Sequence, residues 1–266
     1  MAEKVTVPEI VGRKQGEKIT CLTAYDYSFA RILDGASIDI ILVGDSVGCV
    51  FQGQPNTLPV TLDEMIYHTR AVARGCKRAL VVGDMPFLSY QVSREQAIRN
   101  AGRLLQEGGA EAVKLEGGVV IDKTIEAIVK IGIPVMGHVG LTPQSVHRFG
   151  GYKVQGKSRE QRQTVVDDAV AVEDAGAFAV VLEGIPLDLA KEITERLTIP
   201  TIGIGAGPHC DGQVLVIHDM LGLFDDFTPK FVKRYADLKE SITGAVNSFI
   251  KEVHEQKFPD KEHSFH

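Results

Sequence analysis

Acidic side chains recur along the chain, each at the end of a short apolar run. Asp45 follows LVG and Asp84 follows VVG, so one apolar-Val-Gly-Asp pattern occurs twice. Carboxylates on neighbouring parallel strands, about 4.8 Å apart, can converge on one cation. Mg²⁺ suits such ligands, because it takes one or two carboxylates together with water and substrate oxygens. Each Asp could instead cap the segment that follows it, but their recurrence together with Glu116 favours a metal site.

A lysine and a glutamate in VKLEGG lie two residues apart. This spacing places Lys114 and Glu116 on the same face of a strand. Facing inward, Lys114 would offer N–H donors to an anionic substrate, and Glu116 would reach the metal directly or through water. The alternative is an ordinary salt bridge across the protein interior.

Two further polar residues end or interrupt apolar runs. Glu183 ends the run VVLE, where a carboxylate is poorly solvated and can act as a general base. It could instead interact with the N-terminus of the helix that Pro186 begins. His138, in MGHVG, could donate a hydrogen bond to a substrate oxygen or have a structural role.

Eight runs of this kind predict the strands that position these residues. They are continuous apolar runs, as expected when both faces of a parallel sheet are covered. The predicted strands are Ile19–Asp26, Ile38–Ser46, Arg78–Pro86, Ala112–Gly117, Pro134–Gly140, Ala177–Gly184, Pro200–Gly207 and Gln213–Asp219. Most of them end in a carboxylate, namely Asp26, Asp45, Asp84, Glu116, Glu183 and Asp219.

Amphipathic helical patterns separate the predicted strands. Thr61 with Glu64 predicts a capping box, Ser93 with Gln96 repeats the signal, and a long last helix is predicted over 230–256. Strands alternating with helices predict an α/β protein, a single (β/α)₈ barrel over residues 1–266 with a polar C-terminal tail from Lys257. A doubly wound open sheet is the alternative.

Two glycine-rich stretches call for separate interpretations. The glycines at 203, 205 and 207 do not form a dinucleotide-binding fingerprint, because Pro208 stands at the sixth position; a tight turn or a close approach of the backbone is expected there instead. The segment Leu141–Ser158 is long and rich in Gly, Pro and Gln, which makes it a candidate lid.

Composition narrows the class of protein. The 266 residues carry 29 Lys and Arg against 35 Asp and Glu, a formal charge of −6, which argues against a nucleic-acid binder or attraction to anionic membranes. Four scattered cysteines without a CxxC pair favour reduced thiols. No apolar run is long enough for a membrane span or resembles a secretion signal, so a cytoplasmic protein is expected.

Long motifs in a fixed order resemble the ketopantoate hydroxymethyltransferase family from about Thr20 to the C-terminus. They are TAYDYSFAR, LVGDSVG, QGQPNTLPVTLDEMIYHTRAVARG, GDMPF, VKLEGG, GHVGLTPQSVHRFGGYKVQGK, LEGIP, IGIGAGPHCDGQVLVIHDMLG, PKF and the final HSFH.

The resemblance implies a barrel of the phosphoenolpyruvate/pyruvate type that acts in pantothenate biosynthesis as a homodecamer. It implies transfer of a hydroxymethyl group from 5,10-methylenetetrahydrofolate to 3-methyl-2-oxobutanoate (α-ketoisovalerate), through a Mg²⁺-stabilised enolate. Mg²⁺ would be bound by Asp45 and Asp84 with Glu116 near it, and Glu183 would accept the proton. The ketoacid would be held by the polar residues Asp45, Ser46, Asp84 and Lys114.

Two other functions stay open at this point. One is a Mg²⁺-dependent carbon–carbon lyase acting on small 2-oxo acids, which would need no folate. The other is a non-catalytic barrel that binds a metabolite without proton exchange.

Overall fold

A computed structural model describes residues 3–225 and 227–265 of the chain. The remaining four positions of the predicted domain and tail, Met1, Ala2, Asp226 and His266, lie outside the described residues. The chain divides into two compact units, Met1–Val216 and Ile217–His266. A single domain over the whole chain therefore stays a prediction.

The first unit is a closed barrel of eight parallel strands in sequential order, which confirms the predicted fold. The strands are β1 Ile19–Thr23, β2 Ile40–Val43, β3 Leu80–Asp84, β4 Ala112–Glu116, β5 Val135–Gly140, β6 Ala179–Glu183, β7 Thr201–Ile204 and β8 Gly212–Leu215. Every residue of β2, β3 and β4 is buried, as continuous apolar runs predict for a sheet covered on both faces.

One helix of the first unit precedes β1, and the others lie between its strands. These helices are α1 Val7–Gly12, α2 Tyr27–Gly35, α3 Val47–Val50, α4 Leu62–Gly75, α5 Arg94–Gln106, α6 Asp122–Lys130, α7 Val146–Phe149, α8 Arg159–Asp174 and α9 Leu187–Arg196. The predicted capping box begins α4: the Glu64 carboxylate accepts from the Thr61 N–H at 2.7 Å, and the Thr61 hydroxyl accepts from the Glu64 N–H at 3.3 Å. The Ser93 hydroxyl likewise accepts from the Gln96 N–H and caps α5.

The glycines after β7 form the expected turn. Gly205 and Gly207 have φ of +61° and +79°, a region that favours glycine. A Cβ on Gly203 would lie 3.0 Å from the sulfur of Cys210, so the backbone approaches closely there.

The second unit contains α10 Ile217–Met220 and α11 Leu238–His254. Two predicted boundaries are wrong here. Asp219 does not end a strand, because β8 stops at Leu215 and Asp219 lies in α10. The last helix begins at Leu238 and not at residue 230, because the Asp237 carboxylate accepts from the Glu240 N–H and caps it there.

No side chain of α11 is buried, and all but that of Leu238 are exposed, including the apolar ones at 242, 246 and 249. Among the described residues, no helix combines the length and the apolar character that crossing a membrane requires. None of the four cysteines, all of them among the described residues, forms a disulfide.

Candidate functional site

The C-terminal ends of β2 to β6 bring the predicted chemical residues together. Asp84, the last residue of β3, is in register with Lys114 on β4, and Glu116 is in register with His138 on β5. Residues two apart on β4 face the same way, as predicted, and here they face a buried interior. We call this group of polar side chains the acidic cluster: Asp45, Asp84, Lys114, Glu116, His138 and Glu183.

Lys114 lies at the centre of the acidic cluster and is 3% exposed. Its Nζ lies 2.6 Å from Asp84 Oδ1, 3.2 Å from His138 Nδ1 and 3.9 Å from Glu116 Oε1. Burial opposes its charge, but the surrounding carboxylates outweigh burial and raise the pKa of Lys114. Lys114 is therefore a fixed cation, and its shortest ion pair joins it to Asp84 on the neighbouring strand, as the alternative of a salt bridge across the interior also allows.

His138 lies between two glutamates. Its Nδ1 is 3.5 Å from Glu116 Oε1, and its Nε2 is 3.1 Å from Glu183 Oε2. Burial and the charge of Lys114 disfavour the imidazolium, but the two glutamates outweigh them and raise the pKa of His138 to about 9. Glu116 has the opposite shift: burial raises its pKa, yet His138 and Lys114 lower it below the ordinary value.

The two aspartates of the repeated Val-Gly-Asp pattern lie side by side. The Asp45 N–H donates to Asp84 Oδ2 at 3.1 Å, and both residues are buried. Burial, followed by the negative charges of Asp84 and Glu116, raises the pKa of Asp45 well above its usual range. Gly44 gives the Ser46 hydroxyl its room, because a Cβ there would lie only 2.8 Å from Ser46 Oγ.

Glu183 is the most accessible carboxylate of the acidic cluster. Its side chain is 15% exposed, against 2% for that of Glu116 and 3% for that of Asp84. It ends β6 and contacts His138 at 3.1 Å. A substrate at the open end of the barrel can therefore reach this carboxylate.

Ser46, next to Asp45 in the chain, contacts a tyrosine that the sequence analysis missed. Ser46 follows Asp45 at the start of α3 and is half-buried. Its Oγ lies 2.8 Å from the hydroxyl of Tyr25, which is 1% exposed. Tyr25 precedes Asp26, whose carboxylate accepts from the N–H groups of Ser28 and Phe29. Asp26 is thus a helix cap and lies outside the site, although it too follows a predicted strand.

The segment Leu141–Ser158 supplies a second missed residue, Gln144. The segment contains a 3₁₀ turn, Pro143–Ser145, followed by α7, and Gln144 is 6% exposed. Its Nε2 donates to Asp45 Oδ2 at 2.9 Å, and its backbone N–H donates to Glu116 Oε2 at 2.9 Å. A glutamine in a loop carries no spacing signal, so only the position of the segment could have drawn attention to it.

The acidic cluster fits a divalent cation by charge. The cluster holds four carboxyl groups against two cationic side chains, Lys114 and His138, so a divalent cation would offset the excess of acidic groups. Glu116 Oε1 is buried and accepts no hydrogen bond within the described chain. In residues 3–225 and 227–265, no three His, Cys, Asp or Glu side chains are arranged to hold a metal by themselves. Two carboxylates supplemented by water and substrate oxygens are nevertheless what Mg²⁺ commonly uses.

A cavity of about 610 Å³ adjoins the acidic cluster. Tyr90, Glu116 and Gln144 line it on the side of the cluster, and Arg148 and Phe149 of α7 line it further out. It offers room for a molecule beyond a small ketoacid.

The comparisons agree with the motifs in the sequence. Residues 4–261 match the model of the family described as ketopantoate hydroxymethyltransferase. A 3-methyl-2-oxobutanoate hydroxymethyltransferase from Geobacter metallireducens is 66% identical over 266 residues, covering 100% of both chains.

Solved structures share the fold at low identity. A 2,3-dimethylmalate lyase of the PEP mutase/isocitrate lyase superfamily superposes with a TM-score of 0.62 at 18% identity, covering 99% of this chain and 92% of that one. Phosphonopyruvate hydrolase in complex with oxalate and Mg++ superposes with a TM-score of 0.63 at 12% identity, covering 98% and 93%. These likenesses concern the fold alone.

Proposed function

The chain belongs to the ketopantoate hydroxymethyltransferase family, and we propose that it transfers a hydroxymethyl group from 5,10-methylenetetrahydrofolate to 3-methyl-2-oxobutanoate, giving ketopantoate and tetrahydrofolate. The observation that carries the proposal is the buried Asp84–Lys114 pair beside Asp45, with the accessible Glu183 near it. This arrangement offers a place for an anionic ketoacid and a base for its acidic C–H group.

Asp45 and Asp84 are the residues that would hold Mg²⁺, with Glu116 close enough to act directly or through water. When bound, the metal would supply a Lewis acid that favours negative charge on the keto oxygen. Lys114 would hold a carboxylate or enolate oxygen of the substrate by charge. Ser46, oriented by Tyr25, would donate a hydrogen bond to the ketoacid.

Glu183 would remove the proton from C3, the carbon next to the ketone. The proton passes to a Glu183 carboxylate oxygen, and the C–H electron pair becomes the enolate. Lys114 is a fixed cation that stabilises the enolate oxygen more than the neutral ketone, which lowers the barrier. His138 contacts Glu183 at 3.1 Å and would hold the base in place, whereas its predicted role as a donor to a substrate oxygen stays a prediction.

The enolate carbon would then attack the one-carbon unit of the folate. The cavity beside Glu116 and Gln144 supports this step, because it gives the larger co-substrate space next to the ketoacid. The predicted lid role of Leu141–Ser158 has support as well, since α7 of that segment lines the cavity.

The lyase alternative has weaker support. It rests on a fold likeness at 18% identity, whereas the hydroxymethyltransferase relative is 66% identical over the full chain. Catalysis of proton exchange would separate the proposal from a non-catalytic barrel, and dependence on folate would separate it from a lyase.

We further propose a homo-oligomer, expected to be a decamer, working in the cytoplasm in pantothenate biosynthesis. The exposed apolar side chains of α11 support an oligomer, because a row of this kind is commonly covered by another chain.

Exchange of the C3 proton of 3-methyl-2-oxobutanoate in D₂O, followed by NMR without folate, tests the first step. We expect the wild type to catalyse exchange with Mg²⁺. Glu183→Gln should exchange the proton at least about 100-fold more slowly than the wild type while still binding the ketoacid, because a general base accelerates a reaction by about 10²–10⁴-fold.

Glu195→Gln is the matched control, since Glu195 is exposed on α9 and, among the described residues, its ion pair is with Lys191. It should exchange like the wild type. Normal exchange in Glu183→Gln would remove Glu183 from the role of base, and no exchange in the wild type would overturn the proposed function.

A further inference from the structure

Gln144 uses all the hydrogen-bonding groups of its side chain within the protein. Its Nε2 donates to Asp45 Oδ2 at 2.9 Å and to the Met85 carbonyl oxygen at 3.0 Å. Its Oε1 lies 2.8 Å from the Tyr90 hydroxyl and accepts from Gln91 Nε2 at 3.1 Å. Acceptors on one side and donors on the other fix the orientation of the amide.

The backbone of the same residue reaches a second carboxylate. The Gln144 N–H donates to Glu116 Oε2 at 2.9 Å, and Tyr90 accepts from the Glu116 N–H at 3.1 Å. One buried residue therefore contacts carboxylates from two different elements, Asp45 after β2 and Glu116 at the end of β4. Both are residues that would face the metal.

Each of these bonds engages one oxygen of its carboxylate. Gln144 contacts Oδ2 of Asp45 and Oε2 of Glu116, whereas Glu116 Oε1 lies 3.5 Å from His138 Nδ1 and 3.9 Å from Lys114 Nζ. Hydrogen bonds from residues behind metal ligands orient those ligands, and their loss typically costs about 10- to 100-fold in metal affinity.

We propose that Gln144 is a positioning residue that fixes the Asp45 and Glu116 carboxylates for a divalent cation and thereby couples the order of the segment around it to occupation of the acidic cluster. The proposal rests on the proposed function only for the identity of the substrate. Coupling of this kind is reciprocal: if an ordered segment favours cation binding, then cation binding must favour the ordered segment.

Mn²⁺ titration of the full chain, followed by electron paramagnetic resonance without ketoacid, tests the positioning role. We expect Gln144→Met to weaken Mn²⁺ binding by about 10- to 100-fold. Gln163→Met is the matched control, because exposed Gln163 donates its Nε2 to the surface residue Asp167, so the same bond type is lost away from the site. Mn²⁺ affinity in Gln144→Met equal to or tighter than that of the wild type would overturn the proposal.

Hydrogen–deuterium exchange of the wild type tests the coupling and needs no variant. Amides of residues 142–151 should exchange more slowly when Mn²⁺ is bound, and the effect should be absent in Gln144→Met. Unchanged exchange in the wild type would refute the coupling. Neither readout depends on turnover, so a wild type that fails to exchange the ketoacid proton would remove the proposed function and leave this inference standing.

Discussion

Replacing Asp45 with Asn should make the metal-free protein more stable while weakening its metal site. Asp45 is 4% exposed, and burial together with the charges of Asp84 and Glu116 raises its pKa well above the usual range. A raised acid pKa means that the folded state binds the proton more tightly than the unfolded chain does. Ionised Asp45 therefore opposes folding, and this loss of stability grows as the pH rises above about 4.

The ordinary pKa of an aspartate sets an upper limit on the stability that this variant can gain. In the unfolded chain, a carboxyl with a pKa of about 3.9 gains about 4 kcal/mol of free energy by ionising at pH 7. A carboxyl that stays protonated in the folded state forgoes this gain. The raised pKa of Asp45 can therefore lower the free energy of unfolding by at most about 4 kcal/mol. Asn keeps an oxygen that can accept from Gln144 Nε2, so a bond worth about 1 kcal/mol is retained. We expect Asp45→Asn to raise the free energy of unfolding of the metal-free protein by about 1–4 kcal/mol at pH 7.

Urea unfolding in EDTA at pH 5 and pH 7 measures the gain, which should be larger at pH 7. Asp167→Asn, an exposed position on α8, is the control and should change stability by less than about 0.5 kcal/mol. Added Mg²⁺ should stabilise the wild type, by about 2.7 kcal/mol at 100 times its Kd, and Asp45→Asn much less. A variant that is less stable than the wild type in EDTA, or equally stabilised by Mg²⁺, would refute the reasoning.

Two further predictions concern the residues that support the barrel, and urea unfolding checks both. Tyr90→Phe should lower the free energy of unfolding by about 1–3 kcal/mol, because the buried Glu116 N–H loses the hydroxyl that accepts its hydrogen bond at 3.1 Å. A decrease below about 0.5 kcal/mol would contradict this. Asp39→Asn should cost about 2–4 kcal/mol at pH 7, since Arg13 and Arg78 lie 2.9 and 3.2 Å from the carboxylate. Burial raises the pKa of Asp39, but Thr20 and the two arginines lower it below the ordinary value, so its contribution is present above about pH 4 and is lost at lower pH. A difference between variant and wild type that does not shrink as the pH falls would speak against this pairing.

The barrel could be predicted because its signals are local and repeated. Eight apolar runs, most of them separated by amphipathic helices, predicted every strand, and the capping box at Thr61 stands where its spacing requires. Boundaries were less secure, because a strand ends where its partners end. β8 stops at Leu215, although the apolar pattern continues to Ile217.

The site could be predicted only where its residues end strands. Asp84, Lys114 and Glu116 meet because parallel strands finish at one end of the barrel. Gln144 could not be predicted in the same way, since a 3₁₀ turn far along the chain brings it to Asp45. Asp26 is the opposite case, because it follows β1 and yet its carboxylate caps α2 and does not belong to the acidic cluster.

The central claim is that carboxylates from separate strands form one cation site at the mouth of the barrel. Crystals of the full chain grown with Mn²⁺ and oxalate, measured at the manganese absorption edge, test it most directly. We expect an anomalous peak within bonding distance of the carboxylates of Asp45 and Asp84. A peak elsewhere, or none at these two residues with Mn²⁺ well above its measured Kd, would contradict the claim.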